Sequence, residues 1–330
     1  MSHAHQRFMH YLGQLKELLT TTSGKRNNKG RTFYKAGARN VVFRLEALCR
    51  LYRGIGDKKL FDSWYKEFKA LEDTLGSVDH HEAMLTEFCA YKPLKRHAEK
   101  MLGAQLEDEV AFLEAVLRDG DWLGGHKLAA FEHDLQQADW NEAQLDSKDF
   151  SQGMLYELEK LEEKYCSGEI DLSLLEAGVH EFRRRLRWVS IYAASANGMV
   201  QLRQSKTFAA ELEKYQSPAV VNSPFNKMQR AQRGQKIIYI QSSYFYALSW
   251  LIDHLGELKD IGIRSENFHA LCDAASITDK NLEAQFIATC RFHPKEICAQ
   301  AEIAVDQFIL NDRIMTKLQR DLKRHTAAFE

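Results

Sequence analysis

Apolar residues in this 330-residue chain recur at intervals of three and four rather than two. That period stacks them on one face of an α-helix, whereas a half-buried strand would need strict alternation. Proline, which breaks a helix interior, occurs only at Pro93, Pro218, Pro224 and Pro294. The chain is therefore expected to be all-α.

The same period places the helices. One spans about 6–19, and a polar loop follows over 20–30. A long basic helix is expected from Lys35 to Arg53, stopping at Gly54-Ile-Gly56. Asp57 is the N-cap candidate for the next helix, which carries Leu60, Trp64, Phe68, Leu71 and Leu75 on one face and ends at Gly76. Further helices are expected over 79–90 and 94–118, then shorter acidic ones over 126–170. A second basic helix runs to about Ala196, and another covers 204–215. A long aromatic helix is expected from Asn226 to Leu255, ending at Gly256, with three more over 265–274, 278–290 and 294–325.

The two basic helices share a plan. In the first, Ala38, Val41, Val42, Leu45, Leu48, Cys49 and Tyr52 fill one arc at 100° per residue, and Lys35, Arg39, Arg50 and Arg53 fall beside it together with Glu46. In the second, Val179, Phe182, Leu186, Val189 and Ala193 form the arc, followed in the same rotational sense by His180, Arg183, Arg184 and Arg187. Basic residues beside an apolar stripe are often only a solvated shoulder, but the coincidence of two such helices suits a polyanion.

A net charge of −1 argues at first against such a ligand, yet the average conceals a segregation. Residues 105–176 hold 19 acidic and five basic side chains, a net of −14, so the remainder carries +13. Between Leu18 and Leu45 there are seven basic residues and no acid. Between Tyr215 and Ile252 there are four, Lys227, Arg230, Arg233 and Lys236, again with no acid. Fields decay over roughly 8 Å at physiological salt, so such local reaches can steer an anion on a neutral protein.

Against this background, His180-Glu-Phe-Arg183-Arg184-Arg185-Leu-Arg187 resembles the signature helix of the CHAD family, helical modules named for a histidine near the start of an Arg/Lys-rich helix. Leu255-Gly-Glu-Leu-Lys-Asp260 is similar to that family's Leu-Gly-x-x-(Asn/Arg)-Asp turn. Residues Arg39 to Tyr52, followed by Leu75-Gly-Ser-Val-Asp-His80, look like a first copy of the same pair. The likeness covers about 30–90 and 175–325. It departs at Ala36, where the histidine would stand, at Phe43 and Ser190, where arginines would, at Glu46, where a basic residue is usual, and at Asp79-His80 in the first turn. Arg39 precedes Gly76 by 37 residues and Arg183 precedes Gly256 by 73, so the second copy carries an insertion around 197–226.

The resemblance implies two pseudo-symmetric antiparallel helical bundles, here about 1–165 and 166–330 within one compact unit, enclosing a basic groove that takes inorganic polyphosphate or another phosphate-rich polyanion. The expected binding residues are Lys35, Arg39, Arg50, Arg53, His180, Arg183, Arg184 and Arg187, with Arg230, Arg233 and Lys236 extending the track. Nucleic acid is an alternative partner, because the same guanidinium groups would serve its backbone. An interaction scaffold that has kept the packing and lost the anion is another.

No enzyme activity, cofactor or metal is expected. The chain has no Gly-rich phosphate loop and no His-Glu-x-x-His, and the adjacent Asp79-His80-His81-Glu82 diverge around a helix. Six scattered cysteines without a C-x-x-C pair, no signal-peptide core and no run of 18 apolar residues give a cytoplasmic expectation without membrane association.

Overall fold

The computed structural model describes residues 2–204 and 210–328. Among the described residues the chain is all-α apart from one short ribbon, in keeping with the period of its apolar residues. It divides into two compact units, Met1–Trp140 with Glu266–Asp279, and Asn141–Ser265 with Lys280–Glu330.

The first unit contains α1 (His3–Ser23), α2 (Lys29–Lys35), α3 (Ala38–Tyr52), α4 (Lys58–Phe88), α5 (Lys95–Asp119) and α6 (His126–Gln137). Helix α3 packs on α1 and α4, and α4 packs on α5. The arc read from the sequence is the core-facing one: Ala38, Val42, Leu45, Leu48, Cys49 and Tyr52 are buried, while Val41 is half-buried. Phe8 stacks on Phe61 with ring centroids 5.4 Å apart, and Tyr52 and Trp140 close around the pair. Burial of such rings dominates the energetics of a core this size.

Two expectations fail here. The basic helix is not continuous from Lys35, because Gly37 takes a left-handed conformation (φ 77°) that ends α2 and opens α3 in a new direction. Lys35 therefore stands on a different helix from Arg39. Conversely, Gly76 does not end a helix: α4 runs unbroken for 31 residues from the expected Asp57 N-cap, whose carboxylate accepts from Leu60 N at 3.0 Å. Glycine lowers helix propensity by about 1 kcal/mol but does not forbid a helix that packing supports.

The second unit contains α7 (Ala143–Cys166), a π-helical turn (Leu175–His180), α8 (Glu181–Ser195), β1 (Val200–Arg203), a 3-10 turn (Ala210–Tyr215), α9 (Pro218–Val221) and β2 (Ile238–Gln241). It continues with α10 (Ser242–Ala275), whose last turns count with the first unit, α11 (Lys280–Thr289), α12 (Ile297–Asp306), a second π turn (Gln307–Asn311) and α13 (Ile314–Ala327). Residue 165, the expected domain boundary, lies in the last turn of α7. Helix α7 packs against α8 and α13, and α13 also lies along β2.

The expected helix from Asn226 to Leu255 is corrected at both ends. Its first part is irregular and then extended, and β2 pairs in parallel with β1 in the register Val200↔Ile238 to Arg203↔Gln241. The reason is visible in residues 238–240, where buried Ile238 and Ile240 flank exposed Tyr239 with period two. Its far end passes straight through Gly256, because α10 continues to Ala275. Of the helix expected over 204–215, residues 205–209 lie outside the described residues, and 210–215 form the 3-10 turn.

Candidate functional site

In the second unit, α8 presents the predicted cations in three different environments. Arg183 is turned onto α10. Its Nε donates to the carbonyl of Ile252 at 2.9 Å, and a Cβ added at Gly256 would come within 2.9 Å of both its Nε and its Nη2. Burial lowers its pKa, and the charges of Asp260 and Asp253 offset only part of that effect. Arg183 is thus half-buried and fixed by a mid-helix carbonyl and a glycine notch.

Arg184 and the neighbouring Arg185 share a single carboxylate. Arg184 Nη2 lies 2.6 Å from Glu181 Oε2, and Arg185 Nε lies 2.6 Å from Glu181 Oε1. Burial opposes ionisation of Glu181, but the hydrogen bonds and charges of the two arginines outweigh it and hold the pKa down. Two guanidinium groups on one carboxylate leave a net positive charge. Arg184 is exposed, and Arg187, one turn beyond Arg183, is half-buried.

His180 closes the π turn with Nδ1 3.4 Å from Glu176 Oε2. Burial lowers its pKa most; Glu176 pulls it up, and Lys259, Arg183 and Arg184 push it down further. It is a neutral imidazole near pH 7, and its charge appears only further into the acid range than an ordinary histidine's.

In the first unit the predicted cations meet carboxylates of α4. Arg39 lies across Gly76 as Arg183 lies across Gly256: a Cβ there would be 2.9 Å from Nη2. Its Nε bonds Glu72 at 2.8 Å and its Nη1 bonds Asp79 at 2.6 Å. Lys35 pairs with Glu82 at 2.6 Å, and the Tyr34 hydroxyl, with one proton to donate, lies within hydrogen-bond distance of both Asp79 (3.0 Å) and Glu82 (2.9 Å). Arg53 sits over the Tyr65 ring and 3.5 Å from Asp62, and Arg50 is half-buried.

Glu46, on the departure from the family pattern, is buried, with Oε2 lacking a hydrogen-bond partner among the described residues. Burial and the nearby Glu72 charge push its pKa up to about 8. At neutral pH it is mostly the uncharged acid.

The remaining predicted cations, Arg230, Arg233 and Lys236, are exposed on the irregular stretch before β2, not on a helix face. Sequence reasoning missed the carboxylates that engage the first set. Their signal was present: Glu72 and Asp79 lie four residues before and three after Gly76, on one face if the helix continues through the glycine. Among the described residues no cluster of His, Cys, Asp and Glu could hold a metal ion. No helix among them is long and apolar enough to cross a membrane, and the six cysteines are unpaired.

These features define a helical protein in which an arginine helix is docked on a glycine of a long partner helix once in each unit. Comparison with known protein families gives the class its name: residues 29–218, more than half of the chain, match the CHAD domain, and the chain belongs to the CHAD domain family. The match takes in both arginine helices, α3 and α8, and stops before β2 and α10. No curated protein and no solved structure matches the chain.

Proposed function

We propose that this protein binds inorganic polyphosphate, or a similar phosphate-rich polyanion, without chemically transforming it, and does so in the cytoplasm. Membership of a family associated with polyphosphate binding supports the ligand class. The arrangement of charge on α8 carries the reading. There Arg184 and Arg185 share one carboxylate, so the pair keeps a net positive charge to offer an anion, and Arg187 lies on the same helix one turn beyond Arg183. Guanidinium groups bond phosphoryl oxygens in pairs and shed water more readily than ammonium groups do.

Lys35, Arg39, Arg50 and Arg53 in the first unit, and His180, Arg183, Arg230, Arg233 and Lys236 in the second, are the other proposed anion contacts, with unequal weights. In the first unit an anion would compete with Glu72, Asp79, Glu82 and Asp62 for Lys35, Arg39 and Arg53. We therefore assign the larger share of the affinity to the second unit. Arg183 acts chiefly through position, since its guanidinium is already committed to Ile252 and Gly256.

The test is a titration with long-chain polyphosphate beside single-stranded RNA of equal charge, at two salt concentrations. Tight, salt-steep polyphosphate binding is expected. In the Arg184→Ala, Arg187→Ala protein it should weaken, with a log-log slope flatter by about 1.4 to 1.8 for the two lost contacts, taking the nucleic-acid values as a guide. An unchanged titration would remove α8 from the site. Release of orthophosphate during incubation would overturn the non-catalytic reading.

A further inference from the structure

The β1–β2 ribbon has one face in the core and one in solvent. Val200, Ile238 and Ile240 are buried and Leu202 is half-buried on the inner face. Partners in a parallel register point to the same side, so Gln201, Arg203, Tyr239 and Gln241 share the outer face. Tyr239 is 53% exposed there, a large value for an aromatic ring on a strand, and Arg203 is exposed beside it with no ion pair among the described residues.

A cationic loop is fastened to the edge of this face. Gln201 Nε2 donates to the carbonyls of Gly198 (2.8 Å) and Gln229 (2.7 Å), and Gln235 Nε2 donates to Asn197 O. Gly198 has φ 90°, and a Cβ on it would stand 2.4 Å from Arg230 O, so the loop backbone seats directly on that glycine. Thus Gln201 touches the loop with its side chain and is the register partner of Tyr239. The loop carries Lys227, Arg230, Arg233 and Lys236, all exposed, every third residue, within the acid-free reach. It lies beyond the residues matched to the CHAD domain.

A polyphosphate chain would need only the cations. An exposed aromatic ring flanked by arginine and by the Gln241 side chain, with a cationic edge that Gln201 fastens, fits a polymer that alternates phosphates with flat, hydrogen-bonding bases. From this we infer that the outer face of the ribbon binds single-stranded nucleic acid: Tyr239 stacks on a base, Gln201 and Gln241 line the path of its neighbours, and Arg203, Arg230 and Arg233 hold the phosphates. This inference is independent of the polyphosphate reading. Arg230 and Arg233 could serve both ligands, and Tyr239 separates them.

The experiment measures binding of the full chain to fluorescent twelve-residue RNA and DNA oligomers, to an abasic strand of the same length, and to polyphosphate of equal charge. The base-bearing strands should bind at least about fivefold more tightly than the abasic one. Tyr239→Ala should abolish that difference, leaving abasic and polyphosphate binding unchanged, while Tyr239→Phe retains it, because base stacking on an aromatic ring is worth about 1–3 kcal/mol, roughly five- to hundredfold. Arg230→Ala with Arg233→Ala should weaken both strands and lower the salt slope by about 1.4. Equal binding of abasic and base-bearing strands, an ineffective Tyr239→Ala, or no binding of any strand would overturn the inference. The Arg184→Ala, Arg187→Ala protein titrated with polyphosphate tests the α8 reading separately. Unchanged thermal unfolding of the exposed-site variants shows that the fold is intact.

Discussion

Arg183 lies against Gly256, its guanidinium occupying the space a side chain would need and bonded to the Ile252 carbonyl one turn earlier. Arg39 meets Gly76 in the other unit through its Nη2 tip, and there the arginine is held by the side chains of Glu72 and Asp79.

The difference between these anchors predicts unequal responses to a methyl group. Gly→Ala gains about 1 kcal/mol of helix propensity, while forcing atoms into a filled space costs about 1–3 kcal/mol. Gly256→Ala must displace an arginine bonded to backbone, so a net loss of up to about 2 kcal/mol is expected. Gly76→Ala meets only the Nη2 tip of a half-exposed arginine and should fall within about 1 kcal/mol of wild type. Gly13→Ala, in α1 with open space around it, should stabilise by about 0.5–1 kcal/mol. Urea unfolding of the three variants measures all of these.

Glu46 should make the protein less stable as pH rises. Its folded pKa of about 8 lies above its unfolded value of 4.5, so the folded state holds the proton more firmly between those limits. Stability then falls across that window and levels off above it. At pH 7 the loss is of order 3 kcal/mol. Glu46→Gln, which keeps the shape without the charge, should match wild type near pH 4 and exceed it increasingly up to pH 8. Parallel pH profiles of the two proteins would expose an error in this assignment.

Glu181 should hold down the anion affinity of α8, because it neutralises part of Arg184 and Arg185. Glu181→Gln is expected to tighten polyphosphate binding by about 1.4- to fivefold at low salt, in line with the roughly 0.2–1 kcal/mol typical of exposed pairs, and the gain should shrink at high salt. A loss of affinity would mean that Glu181 positions the two arginines rather than competing for them.

His180 should contribute charge only in acid. Because burial lowers its pKa below 6.5, its contribution to polyphosphate affinity is small at pH 7 and grows as pH falls past its depressed value. Wild type and His180→Gln should therefore bind alike from pH 7 to 8 and diverge progressively as the pH falls into the acid range, which titrations across that range would reveal.

How much could be read in advance depended on the kind of feature. The arcs of α3 and α8 and the Asp57 cap follow from local periodicity and composition, and they stand in the structure. The break at Gly37 and the continuity through Gly76 and Gly256 went against the local signals. A glycine weakens a helix and permits a left-handed turn equally well, and the neighbours decide which occurs. The strand at 238–241 was concealed because three residues of alternation, Ile238-Tyr239-Ile240, lie beside a long helical pattern.

The sequence by itself determined that the chain is helical, that its basic residues are segregated from its acidic ones, and that two helices carry arginines beside a core stripe. These are properties of spacing along the chain. Only the tertiary structure decided which of those arginines are engaged, because a charge is cancelled or left available by partners distant in sequence. Arg39 meets Glu72 and Asp79, Arg183 is seated on Gly256, and Tyr239 is turned to solvent by its pairing with Gln201.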